Sequence, residues 1–246
     1  MYARKKLFCA KTCIDYLKGF KLACMKILLI FCFCSISLAL HSKGLKMPKK
    51  KDSLASYRKK RDFSVSPEPT GDALIKKIKK SKEPIFVVQK HNASHLHYDI
   101  RLQIGNVLTS WAVPKGPSMN PAIKRLAVET EDHPLDYAYF EGVIPEGYGA
   151  GTVMVWDLGT YQNLKDESMK TSYNKGRIEV QLNGEKLQGN FALIRTNYGK
   201  ETGAKKNWLL IKMKDETSQG RKNPVLRQTR SVLSGRTTSQ IKKAGA

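Results

Sequence analysis

From Pro84 onward, turn-forming residues cut the chain into short apolar runs, and this punctuation limits the possible folds more than any other feature. Runs rich in Val, Ile, Leu and aromatics occupy 85–90, 96–104, 107–113, 124–130, 152–156, 177–182, 190–195 and 207–213. Between them stand Gly105-Asn106, Pro114-Lys115-Gly116-Pro117, Gly147-Tyr148-Gly149-Ala150-Gly151, Asn183-Gly184 and Gly199. Many short strands at such spacing argue for a sandwich or a barrel. The expected class is mainly β: a compact antiparallel β-barrel with one or two short helices, at 165–174 and 72–80, and basic disordered tails.

The expected organisation has four parts. Residues 1–46 are a signal-like or mis-annotated N-terminal extension. Residues 47–83 are a basic arm, 84–214 the barrel domain, and 215–246 a basic disordered tail rich in Ser, Thr, Gly and Arg. All five cysteines, Cys9, Cys13, Cys24, Cys32 and Cys34, lie in the first part. The barrel therefore has no disulfide or thiolate site, and a metal there must use His, Asp or Glu. The apolar run from Ile27 to Leu40 is too short for a comfortable membrane span. Read from Met25 it has the make-up of a signal peptide; alternatively, translation starts at Met47.

Charge narrows the partner. Lys and Arg number 44 against 21 Asp and Glu, for a net charge of +23. Such an excess favours a polyanion, most often nucleic acid, although a solvated basic surface would read the same way. No phosphate loop of the GxxxxGK type is present, which argues against a nucleoside triphosphatase.

The segment from Gln89 to Ile104 carries the chemistry. With a side-chain period of two, Leu96, Tyr98, Ile100, Leu102 and Ile104 share a face that packs a core. His95, His97, Asp99, Arg101 and Gln103 share the other. A turn at Asn92-Ala93-Ser94 can return His91 toward His97, and His91, His97 and Asp99 then suit a divalent transition metal such as Mn²⁺ or Zn²⁺. The competing reading is a solvated strand face with incidental histidines. Glu129 to Tyr137 adds His133 on a loop beside carboxylates, a weak motif alone. Lys115, Arg101 and Arg125 together could bind phosphate oxygens.

At these residues the sequence resembles the 3′-phosphoesterase domain of bacterial DNA ligase D, an end-healing module of non-homologous end joining. The resemblance covers about residues 54–214. It runs through Arg61-Asp62-Phe63, Pro67-Glu68-Pro69, Phe86 to His91, Leu96 to Leu102, Ser110 to Ser118, Glu131 to Tyr137, Phe140-Glu141-Gly142, Tyr148 to Val153 and Trp208 to Lys212. It implies a β-barrel with a crescent-shaped groove and Mn²⁺, or another divalent ion such as Co²⁺ or Zn²⁺, on His91, His97 and Asp99. Arg101 and His133 match phosphate-contacting and catalytic positions, Tyr137 an active-site tyrosine, and Lys115 and Arg125 positions that support the phosphate site. Asp62 and Glu68 match arm residues needed to remove a terminal ribonucleotide. The implied reactions remove a 3′-terminal ribonucleoside and then the 3′-phosphate, leaving a 3′-OH. The implied partners are primer-template DNA ending in a 3′-ribonucleotide or 3′-phosphate, and Ku and a separate DNA ligase acting in trans, with a monomer expected and no membrane for the mature domain.

This resemblance favours the start at Met47 and a cytoplasmic, nucleoid-associated protein; export is the alternative if residues 25–46 act as a signal. Two departures stand out. His95 occupies a position where Arg is expected, and the Gly147-Tyr148-Gly149 turn is a residue short. Two rivals remain in view: an Fe(II) oxygenase built on His97, Asp99 and His133, and a non-catalytic nucleic-acid module.

Overall fold

Alternating side chains give each strand one face for a shared core, and the strands close on themselves to bury it. The computed structural model describes residues 52–71, 83–197, 206–218 and 224–245, all within the unit Asp52–Ala246. The 1–46 extension, the 72–80 helix and the turn at Gly199 lie outside the described residues. The strands are β1 (Ile85–Asn92), β2 (Leu96–Ile104), β3 (Val107–Val113), β4 (Lys124–Glu129), β5 (Gly142–Ile144), β6 (Gly151–Asn163), β7 (Arg177–Gly184), β8 (Gln188–Arg195) and β9 (Asn207–Lys212). Their order is β1-β2-β3-β4-β9-β8-β7-β6, closed by β1 against β6, with β5 added to β6 outside the ring. Every neighbouring pair is antiparallel. The result is the expected mainly-β antiparallel barrel. Closure leaves the ring no unpaired edge.

The interior holds Phe86, Val88, Tyr98, Ile100, Leu102, Trp111, Trp156, Phe191 and Trp208. Leu96, expected on the core face, is 47% exposed, because it lies where β2 emerges from its turn. The β2–β3 hairpin turns through Gly105, whose φ of 68° costs a glycine little.

A second apolar layer lies outside the barrel. It joins Ile85, Val87, Leu108 and Val155 to Leu54, Tyr57, Leu135, Tyr137 and Ala138. Along the outer face of β1 the residues therefore change from apolar Ile85 and Val87 to polar Gln89 and His91. The functional groups gather at this polar end.

Four features depart from expectation. First, residues of the basic arm are part of the fold. Helix α1 (Ala55–Lys59) buries Tyr57 completely, and its hydroxyl donates to the Pro69 carbonyl at 2.6 Å. Second, β6 runs on to Asn163. Its polar continuation hides Asp157, whose carboxylate accepts from the backbone amides of Leu158, Glu185, Lys186 and Leu187. Third, the helix expected at 165–174 is α2 (Met169–Lys175). It starts where Ser168 accepts from the Thr171 amide and stops at Gly176 in the left-handed region.

Fourth, the C-terminal residues expected to be a disordered tail pack on the barrel through α3 (Pro224–Arg227) and α4 (Thr238–Ala244). Ile241 joins the main core at 2% exposure, and the Trp156 indole donates to the Gln228 carbonyl at 2.6 Å. The Ser and Thr residues that looked like disorder serve as caps and ties. Thr237 and Gln240 form a capping box, and Glu141 accepts from Ser231, Ser234 and Arg236. Among the described residues, no helix is long and apolar enough to cross a membrane.

Candidate metal and phosphate site

His91 near the end of β1 and His97 near the start of β2 are direct cross-strand partners, so the intervening turn does bring them together, with ring centres 4.8 Å apart. One ligand atom each from His91, His97 and Asp99 lies within 4.8 Å of the others. Backbone carbonyls fix both imidazoles. His91 Nε2 lies 2.9 Å from the Gly149 carbonyl, and His97 Nδ1 lies 2.9 Å from the His95 carbonyl. A carbonyl only accepts, so those nitrogens carry the protons. His91 Nδ1 and His97 Nε2 are left with lone pairs, each 3.7 Å from a different Asp99 oxygen. Two oriented imidazole lone pairs and a carboxylate are a donor set for a divalent metal, and the carbonyls supply the outer hydrogen bonds such ligands usually carry. Gly151 lets β6 come this close to the turn; a Cβ there would stand 2.4 Å from the Asn92 carbonyl oxygen.

Beside the metal group lies Arg101, 3% exposed. Its Nε donates to Gln89 Oε1 at 2.8 Å, Nη1 to Ser110 Oγ at 2.9 Å, and Nη2 to Asp99 Oδ2 at 3.1 Å. Gln89 is itself held, its amide donating to the carbonyls of Tyr137 and Phe140. The guanidinium also lies over the Tyr137 ring, 4.9 Å from its centre. Burial alone would raise the Asp99 carboxyl, but Arg101 and the two histidines outweigh it and hold it well below the ordinary range.

His133 is pinned to β3 by an antiparallel bridge, its amide and carbonyl both bonded to Leu108. Its ring lies between two arginines: Nδ1 is 3.0 Å from Arg101 Nη1, and Nε2 is 3.2 Å from Arg61 Nη2. Burial first, then the charges of Arg101 and Arg61, push the imidazole well below its ordinary value of 6.5. It is therefore neutral. The Glu131 carbonyl lies 2.9 Å from Nδ1, so that nitrogen carries the proton and donates to it, while Nε2 accepts from Arg61 Nη2 and Arg101 Nη1 donates to Ser110 instead.

Arg61 forms the opposite wall. It donates to Glu68 at 2.8 Å and Glu131 at 3.1 Å, and stacks 3.9 Å from the centre of the Tyr57 ring. Glu68 also accepts from the Tyr137 hydroxyl at 2.9 Å. Arg61, Glu68, Glu131 and Tyr137, with the metal group, Arg101 and His133, line a cleft of about 670 Å³ that also holds His95, Thr130 and Tyr148. The cleft's charged lining is two guanidiniums against three carboxylates, a net negative charge that a divalent cation would reverse. An anionic ester is therefore welcome only with the metal in place.

Residues 89–195 match the DNA Ligase D 3′-phosphoesterase domain family. That segment belongs to this family. The chain is 48% identical over 196 residues to the multifunctional non-homologous end joining protein LigD of Pseudomonas aeruginosa, covering 78% of this chain and 22% of that protein. It is 43% identical over 169 residues to the multifunctional non-homologous end joining DNA repair protein LigD of Mycobacterium tuberculosis, covering 68% and 21%. For LigD of Mycolicibacterium smegmatis the identity is 44% over 170 residues, covering 67% and 21%. The chain thus spans about a fifth of the length of these LigD proteins.

Within this phosphoesterase fold, His91, His97, Asp99, Arg101, His133, Tyr137 and Glu68 all line the one cleft. Asp62, Lys115 and Arg125 do not. Asp62 is exposed and accepts from the Ser64 amide and hydroxyl. Lys115 is exposed on the turn after β3, and Arg125 is half-buried on β4. His133 is not in the metal group; two guanidiniums face its nitrogens, so the oxygenase triad of His97, Asp99 and His133 is not assembled. His95 contributes its carbonyl to the metal group while its side chain is exposed at the cleft. Arg61, Gln89, Ser110 and Glu131 had no assigned role. All four stand inside the motifs quoted above; Gln89 is polar after the apolar run Phe86-Val87-Val88, which was an available signal, whereas Arg61 lies in a charged run that hides it.

The neutral His133 gives a pH dependence. Its folded value is depressed, so the unfolded chain binds the proton first, and stability present above 6.5 is lost as pH falls below it. Asp99 adds a further loss only below 3.8. With metal chelated, His133 should contribute a fall in stability from pH 7 to pH 5 of at most about 1.4 kcal/mol per unit, opposed by Asp157, whose carboxyl burial raises to about 6 so that the folded chain takes up that proton first; the comparison of melting temperatures between wild type and variant isolates the His133 part. His133→Gln should flatten that fall; an unchanged slope in the variant would contradict the assignment.

Proposed function

We propose that the cleft is a metal-dependent 3′-phosphoesterase that heals nucleic-acid ends for non-homologous end joining. The observation that carries this reading is the juxtaposition of a His91–His97–Asp99 donor set with two buried guanidiniums across one cleft. The His and Asp donors suit Mn²⁺, with Co²⁺ or Zn²⁺ as alternatives. When bound, the ion would supply Lewis-acid polarisation of a phosphoryl oxygen.

The protein's own groups would do the rest. Arg101, fixed by Gln89, Ser110 and Asp99, presents its guanidinium without reorganising and stabilises charge gathering on the phosphoryl oxygens. Arg61, its Nη2 donating to His133 Nε2, would add a second positive charge on the same side. Tyr137, its hydroxyl held by Glu68, supports the Arg101 plane. Water attacks phosphorus, and the bond to the departing ester oxygen breaks. With a ribonucleoside-terminated strand, that oxygen is the 5′-oxygen of the terminal nucleoside, which leaves with a proton and a 3′-phosphate stays behind. A second round releases phosphate and leaves a 3′-OH. That hydroxyl is what a DNA ligase requires, so a ligase acting in trans, with Ku at the break, would be the partner. The net charge of +23 supplies salt-dependent affinity for the strand.

The test is a gel time course on two primer-templates, one ending in ribonucleotide and one in 3′-phosphate, with EDTA and Mn²⁺ arms. Both should be processed only with Mn²⁺; metal-independent release, or none at all, would defeat the reading. Asp62→Ala, outside the cleft, should slow ribonucleoside removal several-fold more than phosphate removal. Equal slowing would place Asp62 in the common step.

A further inference from the structure

A second hollow of about 350 Å³ opens beside the cleft. It shares Arg61, Glu68, Gly147 and Tyr148 with the cleft and adds Lys60, Asp62, Val65, Ser66 and Glu146. We propose that this hollow receives the terminal nucleoside of the strand, with the Tyr148 ring as the wall on which its base stacks. The proposal rests on the phosphoesterase reading and adds a substrate subsite to it.

Position is the first argument. A group esterified to a phosphorus in the cleft passes the shared wall and enters the hollow, whose volume falls in the range of about 300–1,000 Å³ found for small-molecule sites.

Charge is the second. The hollow's lining has three carboxylates, Asp62, Glu68 and Glu146, against Lys60 and Arg61. Three of these five are in ion pairs, Arg61 with Glu68 and Lys60 with Glu131, and Asp62 turns one oxygen, Oδ1, to the Ser64 amide and hydroxyl. The acidic remainder, Asp62 and Glu146, suits sugar hydroxyls and base amino groups and repels phosphate. A terminal nucleoside brings no phosphate beyond the scissile one, whereas an internal nucleotide would bring a second into this acidic space. The hollow thus selects strand ends.

The third argument is Tyr148 itself. It is 43% exposed although its hydroxyl is tied to Glu131 at 3.2 Å and to Lys60 at 3.3 Å. The Lys60 ammonium lies 4.3 Å from the ring centre. The ring is therefore held in place between the two spaces while much of it stays open. A positioned, open aromatic is what a base stacks on, whatever its sequence.

The experiment compares a strand ending in a base-bearing ribonucleoside with one ending in an abasic ribose, using the full chain with Mn²⁺. Wild type should prefer the base-bearing end by roughly ten- to a hundredfold in kcat/KM. Tyr148→Phe should keep the preference, and Tyr148→Ala should lose it, mainly by a rise in KM for the base-bearing strand. If Tyr148→Ala keeps the wild-type preference, the stacking wall is wrong. If Tyr148→Phe loses as much as Tyr148→Ala, the hydroxyl tie is what matters and the proposal fails. Should wild type cleave neither strand, the reading of the cleft itself falls and the subsite falls with it.

Discussion

His97→Ala should abolish tight Mn²⁺ binding and slow removal of both ribonucleoside and phosphate by about 100-fold or more. Loss of outer-shell partners alone costs metal sites about 10–100-fold, and His97 supplies a lone pair directly. The substitution is also a clean probe. The His97 side chain keeps 23% of its surface exposed, and its proton goes to a backbone carbonyl that water can satisfy instead. Removing Asp99 would be less informative, since Arg101 would then be buried without its carboxylate. Calorimetric titration with Mn²⁺ and the two-substrate time course are the measurements, with melting in EDTA as the check on folding. Intact Mn²⁺ affinity and activity in a folded His97→Ala protein would remove His97 from the ligand set.

Arg101 should be the other position of large effect, and there charge and shape separate. Arg101→Lys keeps a cation but loses the fork that reaches Gln89, Ser110 and Asp99 at once. It should cost about 100- to 1,000-fold in kcat on both substrates, the scale of losing one preorganised donor to a charged transition state. Arg101→Ala should add a stability loss of about 3–5 kcal/mol, because the buried Asp99 carboxylate is left without its partner. Denaturant titration beside the time course distinguishes the two effects. Near wild-type turnover in Arg101→Lys would show that a point charge suffices and that the guanidinium plane has no role in the reaction.

Much of the barrel is legible in the chain because β-structure writes itself at a period of two. The alternation from Tyr98 to Ile104 appears in the fold as core on one side and Asp99 and Arg101 on the other. Local polarity misleads where a polar residue's partners are distant in sequence. Asp157 reads as the end of a strand, yet it continues β6 by accepting the amides of the β7–β8 turn. The Ser, Thr and Arg residues near the C terminus read as disorder, yet they cap α4 and bind Glu141. The three-residue β5 is too short to carry a period and exists only because β6 offers it an edge.

For the site, the chemistry of the group around β2 is legible in the chain: which side chains share a face, and that His91 returns beside His97. Those facts follow from strand geometry and one short turn. What surrounds them comes from contacts between residues far apart in the chain. Arg61 and Glu68 reach the cleft because Tyr57 buries itself in the outer layer and docks the arm. His133 reaches it because its backbone pairs with Leu108. Which carbonyl takes the proton of His91 was decided by the approach of Gly149 on a loop 58 residues away. The reason is physical: side-chain period is set by the local backbone, whereas burial, pairing of charges and the tautomer of an imidazole depend on groups that only the closed barrel brings together.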